Sequence, residues 1–156
     1  MSGVAQETAL IWLIREGSTL LRFDTAQRNY RAIPIPYGSN WSFVALDQGT
    51  IWLGGDASAI LEFDRESGRW ARHELDTACV GQRITALQAK EGNVWAGGEF
   101  GVVRYDQDTG QQTCYSESSG MLSERVTQIA LAGDWVWFVH PWRGLWGLEA
   151  SRGAQP

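Results

Sequence analysis

Hydrophobic and polar positions along this chain follow a repeat. Short apolar runs are separated by glycine-rich or acidic turns. A run holding a β-branched aliphatic residue followed by Trp occurs four times, at Ile11-Trp12, Ile51-Trp52, Val94-Trp95 and Val136-Trp137, with the tryptophans 40, 43 and 42 residues apart. About ten residues after each pair, a second apolar run ends in an acid. These acids are Asp24, Asp64, Asp106 and Glu149, spaced by 40, 42 and 43 residues. Two landmarks that keep one period mark a repeated structural unit.

Each unit divides into four predicted strands. The first covers residues 4–6, 44–46, 84–87 and 126–131. The second carries the Trp, and the third ends in the acid. The fourth is more polar and covers residues 30–33, 70–75 and 112–115. Short strands with evenly spaced turn signals predict an all-β sandwich, barrel or propeller. A period near 40 residues with four strands per period favours the β-propeller. The expected fold is therefore one β-propeller segment, 1–156, with blades at about 1–36, 37–76, 77–119 and 120–156.

The physics of a blade agrees with the residues. A blade is a small twisted sheet whose neighbours cover both its faces, so its inner strands are apolar on both sides of the pleat, as in Ile51-Trp52-Leu53. The pairs Gly54-Gly55 and Gly97-Gly98 are expected in tight turns with positive φ. The acid ending the third strand is expected to bond the backbone two residues on. Asp106-x-Asp108-x-Gly110 has the outline of a calcium loop but lacks the remaining ligands, and it occupies the place of the Asp64 to Gly68 turn, so no metal site is expected.

The stretch VWAGGEFGVVRYDQDTG, followed by YSESSGMLSERVTQIA, resembles the two-component regulator propeller repeat. Those repeats have a Trp strand, a small-residue turn, a strand ending in an aromatic-Asp pair, and a Gly-Leu loop leading to a Val-Thr strand. Unit three and the start of unit four match best, and unit one lacks the glycine pair. The resemblance covers nearly the whole chain and implies ligand sensing upstream of a signalling domain. The stretch IPIPYGSNWSFVALDQGTIWLGG is similar to the streptogramin lyase type of propeller.

The last unit reaches its third strand, and residues 150–153 then align with the turn at 65–68. Its outer strand is therefore expected to be missing. An open set of blades leaves apolar faces wet. Three arrangements would cover them: further blades of a longer parent chain, a homodimer closing an eight-bladed ring, or closure of four blades alone.

Composition narrows the partners. Net charge is −5, with one lysine (Lys90) and twelve arginines, so no basic surface for nucleic acid is expected. No apolar run reaches the roughly 20 residues of a membrane helix, and no signal peptide is visible at the N-terminus. No membrane contact is expected, and the compartment stays open. The two cysteines, Cys79 in a predicted loop and Cys114 in a predicted outer strand, are expected as free thiols, with a disulfide between them as the alternative.

Propeller ligands usually sit at a channel mouth, built from the loops joining strands two and three and from the connections between units. These loops vary while the strands stay alike, which is where binding tends to live. The candidates are Arg15, Glu16, Asp56, Glu99, Phe100, His140, Trp142 and Arg143. An indole beside a guanidinium suits a sugar or an anion. Arg83 and Arg125 precede corresponding strands, and their recurrence reads first as the repeat itself. No nucleophile elbow, zinc motif or phosphate loop occurs. The expected function is a non-catalytic recognition or assembly module without a cofactor, taking a small molecule or carbohydrate. The alternative is a lyase-type enzyme using His140 with Glu99 or Glu16.

Overall fold

The computed structural model describes residues 2–121 and 125–150. The residues aligned with the last turn, 151–153, lie outside the described residues. Blade one is β1 (Ser2–Glu7), β2 (Leu10–Arg15), β3 (Thr19–Asp24) and β4 (Asn29–Pro34). Blade two is β5 (Trp41–Asp47), β6 (Thr50–Gly55), β7 (Ala59–Asp64) and β8 (Trp70–Glu74). A one-turn helix, α1 (Thr77–Val80), leads to blade three: β9 (Ala86–Lys90), β10 (Asn93–Gly97), β11 (Val102–Asp106) and β12 (Gln112–Tyr115). Blade four is β13 (Gln128–Ala132), β14 (Trp135–His140) and β15 (Gly144–Glu149). Each blade is a separate antiparallel sheet with its strands paired in chain order, and the fourth has three strands among the described residues. This is an all-β propeller segment of four blades.

The acidic turns form as their chemistry predicts. Oδ1 of Asp24, Asp64 and Asp106 each accepts two backbone N–H bonds, from the residues two and three positions on. These bonds hold the Asp64 carboxyl below the usual carboxylate range. Asp106 Oδ1 accepts from Asp108 and Thr109 N–H at 2.9 and 3.2 Å, forming the same turn as at Asp64.

The glycine pairs differ from expectation. None of Gly54, Gly55, Gly97 and Gly98 has positive φ. Gly55 and Gly98 are required by close approach of backbone. A Cβ on Gly55 would run into the Asn40 carbonyl oxygen, and one on Gly98 into that of Val80. The connection between blades passes across the end of the Trp strand, and only a bare backbone leaves room.

The first strands of blades three and four begin two residues later than the sequence predicts. Ile84 N–H donates to Gly55 O of the preceding blade at 2.8 Å, so it leaves its own ladder to tie two blades together. The cysteines also correct the reading. Cys79 and Cys114 form a disulfide, with their Cα atoms 6.0 Å apart, and neither is a free thiol. It joins α1 to the outer strand β12. Thirty-five residues separate the two, and only the fold brings the connection back over β12.

The core is divided among the junctions. Three buried clusters lie between blades one and two, two and three, and three and four. The innermost strands pack in the order β1, β5, β9, β13. No comparable packing returns β13 to β1 among the described residues. Among them, no helix is long and apolar enough to cross a membrane.

Candidate functional site

The β6–β7 and β10–β11 hairpins open on the same end of the molecule as the connections entering blades three and four. A depression of about 300 Å³ there is lined by Asp56 of the first hairpin and by Arg83, Thr85 and Arg125 of the connections. Beside it, a second depression of about 350 Å³ is lined by Arg83, Thr85, Glu99, Phe100 and Arg125. Residues from blades two, three and four thus meet at one mouth.

Local bonding positions these groups. Asn40, the blade-two equivalent of Arg83 and Arg125, donates from Nδ2 to Oδ2 of Asp56 at 3.1 Å. Oε1 of Glu99 accepts from Gln82 N–H at 3.1 Å, which anchors the hairpin to the connection beneath it. Thr85 Oγ1 donates to Val126 O at 2.6 Å, holding the two arginine-bearing connections side by side. Phe100 is 44% exposed, so its ring is presented rather than packed away. The mouth therefore carries guanidinium donors, carboxylate acceptors and an apolar ring.

The other candidates lie elsewhere. His140 is 2% exposed and cannot meet a ligand as it stands. It occupies the strand position held by Gly55 and Gly98 in blades two and three. Its Nδ1–H donates to Arg125 O at 3.1 Å, and its Nε2 has no partner among the described residues. Burial lowers its pKa below 6.5, against the opposing effect of that backbone bond, so the ring is neutral near pH 7. His140 thus supports the Arg125 backbone from below. Trp142 is fully exposed with a φ of +63°, and Arg143 is exposed beside it. Arg15 and Glu16 are exposed on the β2–β3 hairpin and line neither depression. No hydrogen bond joins His140 to Glu99 or Glu16 among the described residues.

Arg83 and Arg125, whose recurrence reads first as the repeat itself, line both depressions. The available signal was their recurrence at one place in the repeat. In a ring of blades, equivalent positions converge on the axis, so a repeated side chain is also a concentrated one. No group of three or more His, Cys, Asp or Glu positioned to hold a metal occurs among the described residues.

No family model matches this chain, and no curated protein matches it. Solved structures do. The computationally designed Ika4 protein is 14% identical with a TM-score of 0.74, over 95% of this chain and 89% of that one. The extracellular domain of the hybrid two-component system protein BT3049 from B. thetaiotaomicron is 16% identical with a TM-score of 0.74, over 96% of this chain and 23% of that one. The RRP9 WD40 repeats are 10% identical with a TM-score of 0.73, over 97% of this chain and 52% of that one. At these identities the likeness establishes the propeller fold. The chain spans about half of the WD40 structure and under a quarter of the two-component one.

Proposed function

We propose that this chain is a non-catalytic recognition module that binds a small, hydroxyl-rich ligand of the carbohydrate class at the mouth formed by Asp56, Arg83, Glu99, Phe100 and Arg125. The observation that carries this reading is the convergence of both arginines, Glu99 and Phe100 on one open depression. A sugar presents hydroxyls that both donate and accept, and a C–H face that packs on an aromatic ring. Paired guanidiniums beside carboxylates match the first property, and the exposed Phe100 ring matches the second. An anionic sugar gains further from the fork geometry of arginine. The similarity to a two-component extracellular domain supports a sensing role for such binding, with the signalling step performed by other domains.

The test is a titration of the purified chain with neutral saccharides and uronates, followed by calorimetry and ligand-observed NMR. Saturable binding is expected, strongest for uronates, and it is lost in an Arg83→Ala/Arg125→Ala double variant that keeps its circular dichroism. Binding that survives in that variant, or no binding across the panel, overturns the proposal.

A further inference from the structure

The buried clusters show what covers each face of a blade. Toward the following blade, a blade presents the repeat Trp and the residue four before the acid that ends its third strand. In blades one to three these are Trp12 with Leu20, Trp52 with Ile60, and Trp95 with Val102, and each of the six is at most 2% exposed. In blade four the same positions are Trp137 and Leu145, which are 36% and 60% exposed. Trp135 stacks on Trp137 at 5.6 Å between ring centroids and extends the patch along the same face.

Blade one is uncovered on its opposite face. Its Val4 is 61% exposed, whereas the equivalent Val44, Leu87 and Ile129 are 9%, 7% and 3% exposed. Ile11, Leu13, Leu21 and Phe23 are only half-buried, while their blade-two counterparts Ile51, Leu53, Leu61 and Phe63 are buried.

The two open faces match each other in residue type. At the junction of blades one and two, Trp12 and Leu20 pack on Val44, Ile51, Leu53, Leu61 and Phe63. The open face of blade four offers Trp and Leu at those positions, and the open face of blade one offers Val, Ile, Leu, Leu and Phe. These seven residue types are the same, whereas two further buried members of that junction are not repeated: Val139 stands at the place of Ile14, and the place of Trp41 falls at Met1, outside the described residues. The other two junctions use different sets, with Ile60 or Val102 in place of Leu20 and Ala96 or Phe138 in place of Leu53. One chain thus carries both halves of a junction that it already forms once internally.

We propose that a second copy of this chain covers both faces. Blade four of each copy packs on blade one of the other, making two identical junctions about a twofold axis and closing an eight-bladed ring. The contact is head-to-tail, so it must close or it would propagate into fibres. Overlay on about half of a single-chain propeller supports a segment curved enough for two copies to close. Two blade-to-blade junctions form an apolar interface of the obligate kind. The inference does not depend on what the mouth binds.

Sedimentation equilibrium and light scattering of the full chain across a range of concentrations test this. The expected mass is twice the chain mass of 17.4 kDa. Leu145→Glu and Val4→Glu alter side chains already more than half exposed in the single chain, so each variant keeps its fold by circular dichroism. Each is expected to run at the chain mass, because either substitution spoils both junctions. A wild-type monomer overturns the proposal, as does a growing series of larger species. A dimer that survives either substitution also overturns it, because like faces would then be meeting.

Discussion

The phenol oxygen of Tyr105 lies 3.0 Å from Nδ1 of His73, and the two residues belong to different blades. His73 Nε2 stands 3.0 Å from a Glu62 carboxylate oxygen. An ionised carboxylate only accepts, so Nε2 carries a proton, and in the neutral ring Nδ1 accepts from the phenol. Burial first, then the charges of Glu62 and Asp106, raise the Tyr105 pKa above 10, which keeps that donor protonated. The pair is a polar clasp beside the apolar junction, with Trp52 against both rings. Tyr105→Phe is expected to cost about 1 kcal/mol, the usual net value of one such bond. Urea denaturation measures this, and unchanged stability would mean that water replaces the phenol freely.

The disulfide gives a second test. Cys79–Cys114 ties the connection between blades two and three to the outer edge of blade three. Its loss is expected to cost about 2–4 kcal/mol, chiefly by freeing the unfolded chain. In the native oxidised protein, an alkylating reagent should label neither cysteine until a reductant is added. Mass spectrometry reads the label, and prompt double labelling without reductant would show free thiols instead.

Close packing of backbone predicts a contrast between glycines. Gly55→Ala and Gly98→Ala push a methyl group into a neighbouring carbonyl, at an expected cost of about 1–3 kcal/mol. Gly38→Ala meets nothing within 4 Å and serves as the control, expected within about 0.5 kcal/mol of wild type. Equal effects at all three positions would contradict the packing described here. Denaturant midpoints decide between them.

His140 makes stability depend on pH in a defined direction. Its folded pKa lies below 6.5, because burial opposes the charged ring. Below pH 6.5 the unfolded state therefore binds protons more readily than the folded state. The contribution is complete above pH 6.5 and is lost as pH falls toward the folded pKa. His140→Gln keeps a donor for Arg125 O and removes the titration. Denaturation midpoints at pH 7.5 and 5.5 should fall less in this variant than in the wild type. An equal fall would assign the acid sensitivity to other groups.

The blades were legible because a repeat reports the same physics four times. One Trp strand is ambiguous, but four at a near-constant spacing are not. The Asp turns were legible for a local reason: a side chain bonding two residues on needs no information from elsewhere. The mouth was legible only in part. Asp56, Glu99 and Phe100 were identified from hairpin position, and the structure places them beside Arg83 and Arg125. His140 stood out as a distinctive residue in a variable loop, yet it is the last residue of β14 and points inward. Composition cannot report which way the end of a strand faces.

Sequence alone determined the all-β class, the four-unit period, the acidic turns and the apolar character of both faces of the inner strands. Each follows from local bonding or from a pattern read along the chain. Tertiary structure decided the Cys79–Cys114 pairing, the true reason for Gly55 and Gly98, the burial of His140 and the meeting of the two arginines. These depend on how one blade lies across the next, and that distance is set by the packing of Trp12, Trp52 and Trp95 into their neighbours. The same packing exposes the difference between Trp137 and its three equivalents. Four tryptophans read alike in the chain, and only whether another blade covers them among the described residues separates the three that are buried from the one that is not.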